Sequence, residues 1–182
     1  MPMFNRIAVA VDGSPTSSLG LATAIQLAHD QQAELVILHV IGDALPSVAA
    51  ESDATLPRAY REAIAARLRE HGGKILAKAQ AAAKKAQVNA RSSLVVMRAR
   101  TVAEAIVAEA RKQRAELIVL GTHGRRGLRR MVMGSDAEEV VREARVPVML
   151  VRDMGAPTSR KSAGKRAATR PAAAGETTST VP

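Results

Sequence analysis

The sequence predicts a doubly wound α/β fold, a five-stranded parallel sheet with helices on both faces, and three observations carry that reading. Five short apolar runs recur along the chain. Segments with helical spacing of apolar residues separate them, so strands and helices alternate, and the right-handed crossover rule then winds the sheet in both directions. The runs show almost no polar alternation, as expected for strands covered on both faces. Phe4 and Tyr60 are the only aromatic residues, which leaves Val, Ile, Leu, Met and Ala to build the core.

The first strand is expected at Arg6–Val11, ending at Asp12-Gly13-Ser14-Pro15. Ser14 suits an N-cap and Pro15 a first helical position, so a helix begins at once, with Leu21, Ala22, Ile25 and Ala28 as its buried stripe. Glu34–Val40 is the second strand, interrupted by His39, which reads as a core or strand-end histidine because no partner lies at metal-ligand spacing. The irregular stretch from Gly42 to Leu56 is expected to be poorly ordered. A helix from Arg58 to about Ala86 presents Tyr60, Ile64, Leu68, Ile75, Ala79 and Ala86 on one side; Gly72-Gly73 costs about 1.5–2 kcal/mol against two alanines and invites a break unless packing overrides it. Ser92–Met97 is the third strand. Thr101-Val-Ala-Glu104 matches a capping box and starts a helix with Val102, Ile106 and Ala110 inward. The fourth strand is Glu116–Leu120, and after a glycine-rich loop Ser135-Asp-Ala-Glu138 forms a second capping box, with Ala137, Val140, Val141 and Ala144 as the apolar stripe. Val146–Val151 is the fifth strand. Pro147 cannot donate to a ladder, so this is an edge strand, and an apolar edge is best protected by pairing with a second copy in a two-fold dimer.

Composition narrows the function classes. The 182 residues, 47% of them hydrophobic, suffice for one domain over residues 1–152 followed by a basic tail, 153–182, whose Ala, Thr, Ser, Pro, Lys and Arg predict disorder. The absence of cysteine excludes disulfides and thiolate chemistry and fits a reducing cytoplasm. No signal-peptide pattern and no run of about 18 apolar residues is present, so a soluble cytoplasmic protein is expected. The net charge of +10 has two readings, a solvated surface or a face for nucleic acid. The missing aromatic platforms weigh against the second.

The stretch from Gly121 to Ser135 carries the functional signal. It leaves the carboxyl end of a strand and enters a helix, where unpaired N–H groups and the helix dipole both favour an anion. Gly121, Gly124, Gly127 and Gly134 allow close backbone approach, while Arg125, Arg126, Arg129 and Arg130 offer donors suited to phosphate. A plain solvated connection would account for the same composition. The loop has neither the lysine of a Walker motif nor the leading glycine pair of a dinucleotide fingerprint. Asp12 stands at the other strand-to-helix junction, either as a turn-forming residue or as a partner for a ribose hydroxyl or a divalent cation.

With the spacing Gly121-x2-Gly124-x9-Gly134-Ser135 between the fourth strand and the last helix, residues 4 to about 152 resemble the universal stress proteins of the UspA superfamily, in the ATP-binding branch. The resemblance implies a Rossmann-like strand order of 3-2-1-4-5, bringing Asp12 and Gly121 to one crevice. It further implies that Val40 meets adenine through its backbone and that Val11 and Asp12 line the adenosine. Asp12 would lie near ribose or metal, with Gly121, Thr122, Gly124, Arg125, Gly134 and Ser135 around the phosphates. ATP with Mg²⁺ is the implied cofactor and Asp12 the implied metal residue. Asp136 departs from the pattern, because with Glu138 and Glu139 it sets negative charge in the turn meant to hold phosphate. The reading is a non-enzymatic nucleotide-binding dimer. Its alternatives are a slow ATPase using His123, Asp12 or Asp136, and a protein binding nucleic acid or a charged surface through the basic tail.

Overall fold

The computed structural model describes residues 2–42, 57–97, 101–122 and 134–152. In chain order these form β1 (Arg6–Ala10), α1 (Pro15–Gln31), β2 (Glu34–Ile41), α2 (Arg58–Lys85), β3 (Ala90–Val96), α3 (Val102–Lys112), β4 (Leu117–Gly121), α4 (Ser135–Glu143) and β5 (Val148–Val151). The strands lie in the order β3-β2-β1-β4-β5, all parallel. The expected fold class and strand order are both observed. The order in which strands are added reverses between β1 and β4, where Ile7, Ala8 and Val9 pair in parallel with Leu117, Ile118 and Val119.

Alternation of side chains along the central strands feeds two cores. Ile7, Val9, Leu35, Ile37 and Val119 pack with α1 and α2 on one face. Ala8, Val36, Leu38, Ile118 and Leu120 pack with α3 and α4 on the other. Six of these ten strand residues are branched at Cβ, which suits a pleated surface buried on both sides.

Local signals decide where helices begin. The Ser14 hydroxyl accepts from the Ser17 N–H at 3.1 Å and Pro15 follows at N1. The Thr101 hydroxyl accepts from the Glu104 N–H at 3.1 Å. At α4 the expected cap is displaced by one residue: Gly134 is the N-cap, Ser135 is the first helical residue, and among the described residues no side chain caps the helix. The serine-to-glutamate spacing of a capping box is met, but the extended backbone of the N-cap falls on the glycine.

Helix faces differ from the expected stripes in three places. In α1 the buried positions are Ser17, Gly20, Ala24, Ile25 and Ala28, and Ala22 faces outward. Tyr60 is 57% exposed and Val141 45% exposed, although both sit at apolar-stripe spacing. Helix α2 also runs unbroken through Gly72-Gly73. The reason is contact: a Cβ on Gly72 would lie 2.6 Å from Leu94 Cδ1 and 2.8 Å from His39 Cδ2, so glycine lets this helix approach the sheet.

Among the described residues one acidic side chain is buried. Glu109 of α3 is 8% exposed and accepts from Gln113 at 2.7 Å and Ser93 at 2.9 Å, with Lys112 Nζ at 3.4 Å. Burial opposes its charge, but the donors from Gln113 and Ser93 and the Lys112 ammonium prevail, holding its pKa below the ordinary carboxylate value. The Gly124 and Arg125 positions, the remaining loop arginines, the 43–56 connection and the tail from Asp153 lie outside the described residues.

Candidate functional site

The helices that follow β1 and β4 pack on opposite faces of the sheet, and a cavity of about 460 Å³ opens at the carboxyl ends of these strands. This is where ligands of open parallel sheets bind. Its floor is apolar, from Ala10, Val40, Ile106 and Leu120, and its rim carries Asp12, Thr122, Ser135 and Asp136. A larger depression, about 590 Å³, lies at the other end of α2 beside Lys84 and Asn89, but no charged cluster converges there.

The β1-to-α1 turn is internally satisfied. Asp12 Oδ1 accepts from the Ser14 N–H at 2.9 Å, closing an Asx turn, and Gly13 supplies the positive φ of +83° that the turn requires. The Asp12 N–H lies 3.3 Å from Ser17 Oγ, which itself donates to the Ser14 carbonyl at 3.1 Å. So the turn-forming role of Asp12 is observed. It leaves room for a ligand role, since a carboxylate has about four lone-pair sites.

The β4-to-α4 side is built differently. The Thr122 N–H donates to the Val151 carbonyl at 2.9 Å and its carbonyl accepts from the Gly134 N–H at 2.9 Å, so Thr122 pins both ends of the glycine stretch to the sheet edge. The first bond of α4 runs from Glu138 N–H to the Gly134 carbonyl at 3.0 Å. The N–H groups of Ser135, Asp136 and Ala137 therefore stand at the cleft with no side-chain cap. Gly121 has a packing reason of its own: a Cβ there would sit 2.9 Å from the Thr16 carbonyl carbon and oxygen, where α1 crosses β4.

The structure thus brings Val11, Asp12, Val40, Gly121, Thr122, Gly134, Ser135 and Asp136 to one cleft, eight of the ten sequence-derived residues. Ser17 and His39 also line it and were not expected there. For Ser17 the signal was its position three residues after the cap Ser14; for His39 it was the break in an apolar strand. Among the described residues the cleft is lined by carboxylates and no Lys or Arg, and no group of three His, Asp or Glu side chains gathers to hold a metal ion. No helix among them is long and apolar enough to cross a membrane.

An all-parallel 3-2-1-4-5 sheet with a ligand-sized cleft at its switch point defines a Rossmann-like α/β protein. The universal stress protein family model matches residues 3–152, and the chain belongs to that family. Universal stress protein YxiE of Bacillus subtilis is 34% identical over 151 residues, spanning 82% of this chain and all of that one. A universal stress protein structure from Burkholderia pseudomallei is 32% identical, covering 83% of this chain and 98% of its own, with a TM-score of 0.66. An Archaeoglobus fulgidus universal stress protein in complex with dAMP shares the fold at 19% identity and a TM-score of 0.58, over 83% of this chain and 99% of its own.

Proposed function

We propose that this chain is a non-enzymatic binder of an adenine nucleotide, ATP with Mg²⁺, in the cleft between β1 and β4. The observation that carries the reading is the uncapped start of α4 facing that cleft. Its N–H groups, which no side chain among the described residues caps, and its dipole suit a phosphate chain, while the apolar floor formed by Ala10, Val40, Ile106 and Leu120 suits a flat base. The dAMP complex of a family member supports adenine as the base. In this reading Ser135 donates its hydroxyl to phosphate, with Gly121, Thr122, Gly124 and Gly134 beside it and Arg125 supplying positive charge. Asp12 faces ribose or the metal ion.

The donor set fits Mg²⁺ in the way usual for nucleotide sites, where one or two carboxylates and the phosphates themselves hold the ion. Asp12 and Asp136 are the carboxylates at hand, and Mg²⁺ would offset the repulsion they exert on a polyphosphate. Strand β5 is at the sheet edge, and its four residues are half-buried valine, methionine and leucine. That supports self-pairing through Val146–Val151 as the homodimer contact. Isothermal calorimetry with ATP and Mg²⁺ tests the binding: saturable heat is expected below millimolar nucleotide, and its absence at millimolar concentration sinks the proposal. Sedimentation of the same sample tests the dimer.

A further inference from the structure

We infer that His39 is a positioning residue: by engaging the Val11 carbonyl it leaves the Val40 N–H as a backbone donor to the ligand's base, an inference that rests on the nucleotide reading above. Val11 stands one residue beyond β1, and its N–H still donates to the Leu38 carbonyl at 2.8 Å. Ala10 pairs with Leu38, so the ladder's next rung would join the Val40 N–H to the Val11 carbonyl. Among the described residues that rung is missing. The Val11 carbonyl lies instead 2.6 Å from His39 Nδ1. A carbonyl only accepts, so Nδ1 carries the proton and the ring donates.

The two residues have different surroundings. His39 is 4% exposed and wedged beneath Gly72, which fixes its ring against the sheet. Val40 is only partly buried and lines the cleft. A backbone donor in such a wall needs a partner from protein, water or ligand. The wall around it is apolar, with Ala10, Ile106 and Leu120 nearby, so a planar ring with an in-plane nitrogen acceptor matches it better than a phosphate does. The histidine that breaks the apolar pattern of β2 is therefore the device that holds a rung of the sheet open for a base.

Amide exchange of the nucleotide-free protein, read by NMR, and calorimetry with ATP test this on wild type, His39→Leu and His39→Asn. In wild type the Val40 amide should exchange at least about tenfold faster than that of Leu38. In His39→Leu the carbonyl returns to the rung, the Val40 amide slows by a similar factor, and ATP affinity falls about tenfold, the worth of one hydrogen bond. Affinity for inorganic tripolyphosphate stays unchanged. His39→Asn keeps an N–H near the Nδ1 position and retains wild-type behaviour in both measurements. A Val40 amide as protected as Leu38 in wild type overturns the inference, as does undiminished ATP affinity in His39→Leu. Should His39→Leu not fold, 1-deaza-, 3-deaza- and 7-deaza-ATP take its place: each lacks one ring acceptor, and one of them should bind wild type about tenfold more weakly than ATP, equal binding of all three being fatal. If wild type binds no ATP, the nucleotide reading fails and the donor's role with it; the exchange pattern separates that failure from a closed rung.

Discussion

Helices α1 and α4 both start at the rim of the cleft, each after a parallel strand, yet their first turns are arranged in opposite ways. At α1 the donors turn inward: Ser14 caps Ser17, Asp12 accepts from Ser14, and Ser17 accepts from Asp12. At α4 the cap position is Gly134, with no side chain to serve the first turn. A strand-to-helix junction is thus not by itself an anion site. What decides is whether the protein has already satisfied the N–H groups, and of these two starts, among the described residues, α4 is the one without a side-chain cap.

The largest expected effect comes from the point where the two sides meet. Gly121→Ala drives a Cβ into the Thr16 backbone at 2.9 Å, and overpacking of this kind costs about 1–3 kcal/mol. Urea denaturation should show the loss, and ATP binding should weaken with it. Ser14→Ala then separates the two helix starts. It should cost about 1 kcal/mol of stability through the lost cap while changing ATP affinity little. Ser135→Ala should do the reverse, leaving the denaturation midpoint within about 0.5 kcal/mol of wild type and weakening ATP by about tenfold or less. Equal effects of the two alanines on affinity would break the comparison.

Acid provides a control remote from both starts. The folded-state pKa of Glu109 is depressed, so its stabilisation is fully present above the unfolded carboxylate value, about 4.3, and is lost as pH falls through the folded pKa. Glu109→Gln should lower stability at neutral pH and flatten the acid limb of a stability profile. The smallest effect is expected from Gly134→Ser. Its φ of −63° and ψ of 143° accept serine, which should cap α4, raise stability by a few tenths of a kcal/mol and compete with phosphate for the same N–H groups. Stability and affinity moving in opposite directions would sharpen the contrast between the helix starts.

Strands and the caps of α1 and α3 were legible in the sequence because their causes are local, whereas the Ser135 cap expected at α4 falls on Gly134. Arg6–Ala10 and Glu34–Ile41 are apolar runs, and Ser14 and Thr101 precede helical spacing with suitable partners in the first turn. What could not be read depends on neighbours distant in the chain. Gly72 looks like a helix breaker until Leu94 and His39 are seen beneath it. Ala22 and Ala24 are the same residue type, and only the position of the sheet tells which is buried. Tyr60 has the spacing of a core residue but is exposed. Most of the cleft was legible because Asp12 and Gly121 end strands that the fold makes neighbours. The partner of His39, a carbonyl 28 residues away, had no sequence signature.

The crossing of α1 over β4 has one more consequence. Gly20 and Gly121 face each other there, and a Cβ on Gly20 would lie 3.3 Å from the Gly121 nitrogen, so main chain rests almost directly on main chain. Elsewhere in an interior a misfit of a few tenths of an ångström is absorbed by a rotating side chain; two peptide units possess no such joint. Compensating exchanges, one partner growing while the other shrinks, are closed to this pair because neither has anything left to give up. The position should consequently tolerate fewer joint replacements in a randomised library than any aliphatic pair in the two cores.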